Sequence, residues 1–138
     1  MSTICCFDQN IVVLICESSK WNLYLINKEG TVNKIALPFE ELSYLNAIQN
    51  RAVLVASSPF NESVLLEVDL QKVTWKYKKK ETFPLPNHLM SVGQNFYFKG
   101  YNEKITHAWY YPPSYKVFDK NPLLLKIHSG PTAMVSRG

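Results

Sequence analysis

The feature that most constrains this chain is a train of short apolar runs with polar or turn residues between them roughly every eight to twelve positions. The runs are Ile11–Cys16, Trp21–Ile26, Thr31–Leu37, Leu42–Ile48, Ala52–Ala56, Val64–Val68, Lys72–Tyr77, Leu89–Phe98, Ile105–Tyr111 and Pro122–His128. They are rich in β-branched and aromatic residues and too short for helices, so each reads as a strand. Turn chemistry separates them at Asn27-Lys28-Glu29-Gly30, Ser57-Ser58-Pro59 and Asp69-Leu70-Gln71-Lys72. Only Pro38–Leu45 could hold a helical turn, through Phe39-Glu40-Glu41-Leu42.

The runs repeat. Gln9-Asn10 recurs as Gln49-Asn50, Val13-Leu14 as Val53-Leu54, and Ser18-Ser19 as Ser57-Ser58. Further on, Tyr24-Leu25-Ile26-Asn27 matches Leu66-Glu67-Val68-Asp69. A period of about 40 residues carrying four strands is the pattern of a propeller blade. Ile11–Ile15 and Ala52–Val55 are almost wholly apolar, as inner strands covered on both faces would be. Lys72–Lys80 is charged, as an outer strand at a solvent rim would be. A generic antiparallel sandwich is the competing arrangement. Two blades leave open edges, and repeat architectures need about three or more units, so marginal stability in isolation is expected.

Composition narrows the class. The 138 residues are 46% hydrophobic and 19% charged, which excludes intrinsic disorder. No apolar run approaches the roughly 20 residues of a membrane-spanning helix. A net charge of +4 permits weak affinity for polyanions without predicting it. Cys5, Cys6 and Cys16 are odd in number, two of them adjacent, and fit neither a disulfide framework nor a zinc site. With no basic, cleavable leader pattern, a reduced cytoplasmic setting is the expectation.

After Lys80 the character changes. Phe83-Pro84-Leu85-Pro86 breaks the repeat, and Ser91–Phe98 and Ile105–Tyr111 read as a strand pair joined by a polar turn at Gly100–Lys104. Then come Ala108-Trp109-Tyr110-Tyr111-Pro112-Pro113, a loop over Ser114–Asn121, and Pro122-Leu123-Leu124-Leu125-Lys126-Ile127 running into His128-Ser129-Gly130-Pro131. A continuous apolar run is how a strand buried in an α/β sheet reads. This stretch, from about Ser91 to Ala133, resembles the entry to the catalytic domain of the prolyl oligopeptidase family of serine peptidases, in its acylaminoacyl-peptidase and dipeptidyl-peptidase-like branch. Those enzymes join a β-propeller to an α/β-hydrolase domain, in the order seen here.

The resemblance implies a mainly β fold: two four-stranded β-propeller blades, then a β-hairpin and the first strand of an α/β-hydrolase domain. It divides the chain into a partial propeller over residues 1–82 and a linker with the truncated start of the hydrolase over 83–138. It gives the Gly130 backbone N–H a place in an oxyanion hole, with His128 and Pro131 shaping the loop. Ser129 stands where the family has a glycine. Hydrolysis further needs a Gly-x-Ser-x-Gly nucleophile elbow, an Asp and a His. None of the five glycines, at 30, 93, 100, 130 and 138, flanks a serine in that way. The resemblance therefore implies an interior piece of a peptidase that acts on short peptides or acyl-amino acids, inactive by itself. Its implied partners are a peptide substrate for the parent enzyme and a chain supplying the rest of the hydrolase, with no cofactor, metal, nucleic acid or membrane. The competing function is a small propeller-like interaction module without catalysis, pairing through open edges.

The remaining motifs read as structure. His88 and His107 read as surface or packed histidines, and Lys76-Tyr77-Lys78-Lys79-Lys80 as a solvated outer strand. Asn61-Glu62-Ser63 has the pattern of a glycosylation acceptor, and the acidic residues show no metal-ligand spacing.

Overall fold

In a computed structural model, residues 3–79, 86–114 and 120–127 are described. Among these residues there is no α-helix, and three antiparallel sheets account for the strands. The first sheet is a meander of β1 (Ile4–Phe7), β2 (Asn10–Glu17), β3 (Lys20–Ile26) and β4 (Val32–Ile35). The second repeats it with β5 (Glu41–Ile48), β6 (Arg51–Ser58), β7 (Asn61–Asp69) and β8 (Thr74–Lys79). A hairpin of β9 (Gln94–Lys99) and β10 (Ile105–Tyr110) follows. The mainly β reading, with two four-stranded propeller-type blades and a hairpin, holds.

The turns explain the meander. Asp8-Gln9 and Ser18-Ser19 each close a two-residue hairpin with φ of +41°/+65° and +50°/+61°. Paired positive φ values match the right-handed twist of the flanking strands. After β3, Gly30 takes φ +81° and its N–H donates to the Asn27 carbonyl at 2.9 Å, while the Asn27 side chain accepts from the Thr31 N–H at 2.8 Å. After β7, the Asp69 carboxylate accepts from the Gln71 and Lys72 N–H groups at 3.1 and 2.9 Å. Both loops are Asx-type turns, as their sequences indicate. Instead of a helical turn, Pro38–Leu45 leads into β5, where Tyr44 (φ +53°) forms a bulge between Ser43 and Asn46.

The blades stack face to face. Val12, Leu14 and Leu23 from the first and Ala52, Leu54, Ala56, Leu66 and Val68 from the second share one buried cluster. Cys5, Phe7, Trp21 and Leu25 pack at its margin from the first blade, and Trp75 from the second. The Trp21 N–H donates to the Glu40 carbonyl at 2.9 Å, tying the first blade to the chain entering the second. Each fully buried Leu is worth about 1.5–3 kcal/mol, so this seam carries most of the apolar stabilisation.

Pairing corrects the repeat in one respect. β2 begins at Asn10 and β6 at Arg51, an offset of 41 rather than the 40 of the Val-Leu match. Val13 pairs with Tyr24 and Leu54 with Leu66, so Val13 corresponds to Leu54 and Tyr24 to Leu66. The Tyr24–Asn27 match to Leu66–Asp69 is therefore in register, whereas Val13-Leu14 to Val53-Leu54 is slipped by one. A one-residue slip exchanges the two faces of a strand. Likewise Ser18-Ser19 corresponds to the turn at Pro59-Phe60, because Ser57 and Ser58 belong to β6. The apolar strands β2 and β6 are second in their sheets; β1, around Cys5-Cys6, was missing from the runs.

Candidate functional site

The loop to which the resemblance assigns chemistry, His128, Gly130 and Pro131, lies outside the described residues. The chain leading to it is described. Residues 121–127 belong to no sheet, and Leu123, Leu124, Leu125 and Ile127 are 82%, 93%, 75% and 82% exposed. The sequence reads this run as a buried strand. A strand covered on both faces needs neighbours on each side, and none of the described strands pairs with it.

The hairpin before it is anchored at its base. The Ser91 hydroxyl donates to the Pro112 carbonyl, and the Ser114 hydroxyl donates to the Leu89 carbonyl at 2.8 Å. Gly93 lets the Tyr111 ring approach closely there: a Cβ would lie 3.0 Å from it, and the ring would have to shift by a few tenths of an ångström. At the far end Asn102 and Glu103 turn the chain with φ of +54° and +59°, and Lys99 bridges to Glu103 at 2.6 Å. One face carries Tyr97, His107 and Trp109. The His107 ring lies 5.1 Å from Tyr97 and 4.8 Å from Trp109, and its Nε2 is 2.9 Å from Asn95 Oδ1. His107 is thus a cross-strand packing residue, with no nucleophile beside it among the described residues. His88 lies in a single 3-10 turn, Asn87–Leu89.

The strongest electrostatic cluster is in the second blade. Glu67, with its side chain 11% exposed, meets Lys78 Nζ at 2.7 Å, Lys76 Nζ at 3.0 Å and Arg51 at 3.6 Å. Hydrogen bonds from Lys78 and then Lys76 hold its carboxyl down at about 2. The Lys76–Lys80 run is thus partly consumed in pairing a carboxylate, which the sequence pattern did not reveal. The hollow beside it, about 230 Å³ and lined by Arg51, Glu67, Asp69, Lys72, Thr74, Trp75 and Lys76, is below the roughly 300 Å³ of small ligand pockets. In the first blade, Glu17 accepts from Tyr24 at 2.7 Å and Asn22 at 2.9 Å, with Lys34 at 3.6 Å. These are structural clusters. Burial, then the charge of Glu41, pushes the Cys16 thiol up, away from a thiolate nucleophile. Among the described residues, no three His, Cys, Asp or Glu side chains gather as metal ligands, and no helix is long and apolar enough to cross a membrane.

No protein-family model matches the chain, and no curated protein does. Solved structures do. Puromycin hydrolase superposes on 82% of this chain with a TM-score of 0.73 and 24% identity. A Mycobacterium tuberculosis puromycin-hydrolyzing peptidase superposes on 80% with a TM-score of 0.71 and 20% identity. The likeness is one of fold. The chain spans 18% and 17% of those two proteins, under a fifth of their length.

Proposed function

We propose that this chain is a piece of a serine peptidase of the prolyl oligopeptidase type. In this reading residues 1–82 are the last propeller blades and 83–138 the linker and opening of the α/β-hydrolase domain. The observation that carries it is the order of parts. Two stacked four-stranded blades are followed by a hairpin and, further along the sequence, by a His-Ser-Gly-Pro turn, and about four fifths of the chain superposes on puromycin hydrolase and on a puromycin-hydrolyzing peptidase. Puromycin joins a nucleoside to an amino acid through an amide. The parent enzyme's substrates would accordingly be short peptides or amino-acid amides, cleaved through an acyl-enzyme. Gly130 would lend a backbone N–H to the oxyanion, and the blades would limit access to the site.

Losing one oxyanion donor costs about 10²–10³-fold in rate. These 138 residues lack the nucleophile elbow altogether, so the chain alone should leave aminoacyl arylamides untouched. Turnover by the purified chain would overturn the reading. The sharper test is the transcript beyond codon 138. A continuing or adjacent frame with Gly-x-Ser-x-Gly, then Asp and His, is expected; an intact transcript without one would leave an interaction module.

A further inference from the structure

We draw no further inference here: the strongest candidate, the polar hollow lined by Arg51, Lys72 and Lys76 on the face of the second blade turned away from the first, belongs to the Glu67 cluster already described, and nothing in the structure shows what covers that face.

Discussion

Residues 3–79 and the stretch after residue 86 are both rich in apolar side chains but meet opposite fates. All the buried hydrophobic residues described lie between Val12 and Leu70. In the hairpin, Phe96, Tyr97, Phe98 and Ile105 are 53%, 63%, 43% and 69% exposed, and beyond it Leu124 reaches 93%. Strand pairing alone does not account for the contrast, since β9 and β10 pair along their full length. The blades bury side chains because one sheet lies on another. The hairpin is a sheet of two strands without such a layer, an arrangement that is marginal by itself in water. Local hydrogen bonding makes strands here, and stacking makes a core.

Mutations can break that contrast. Leu54→Ala, in the seam, should cost about 2–5 kcal/mol in chemical denaturation, while Phe96→Ala should stay within about 0.5 kcal/mol. Equal losses would mean that the hairpin packs like a blade. A smaller effect comes from the turns. Ser19 and Glu103 both hold positive φ without being glycine, at roughly 1–2 kcal/mol each. Ser19→Gly should raise the melting temperature of the blades. Glu103→Gly should instead raise only amide-exchange protection within β9 and β10, leaving the main transition in place.

The smallest effect is electrostatic and confined to the second blade. The folded state holds the Glu67 carboxyl at about 2, below its ordinary value of 4.5. The stability it contributes is therefore full above about pH 4.5 and lost as pH falls from there toward 2. Asp69, lowered chiefly by the Lys72 N–H, acts in the same direction. An acid titration of stability should flatten over that interval in Glu67→Gln; an unchanged curve would show that the cluster is inert.

Much of the blade fold was legible because the residues that decide it act locally. Gly30 and Asp69 sit in turns whose chemistry is written in adjacent positions, and the runs marked most strands. The blade register was less legible. Val13-Leu14 and Val53-Leu54 are alike in letters but sit on opposite faces, and only pairing reveals which face a side chain takes. The Glu67 cluster was hidden for a similar reason: its cations come from β6 and β8, and no sequence spacing joins Arg51 to Lys76. For the candidate site, sequence supplied the turn at His128–Pro131 and its implied chemistry, which falls outside the described residues. Sequence also read the approach as a buried strand. That reading assumes neighbours that a single run cannot specify.

In each of the three sheets every strand is bonded only to strands next to it in the chain. Such a chain never waits for a distant segment before pairing. Its hairpins can zip on the microsecond scale as residues emerge in order, and the slower event is the closure of one finished meander on the next. Synthesis can therefore proceed blade by blade, with each new sheet finding a preformed surface on the one before it.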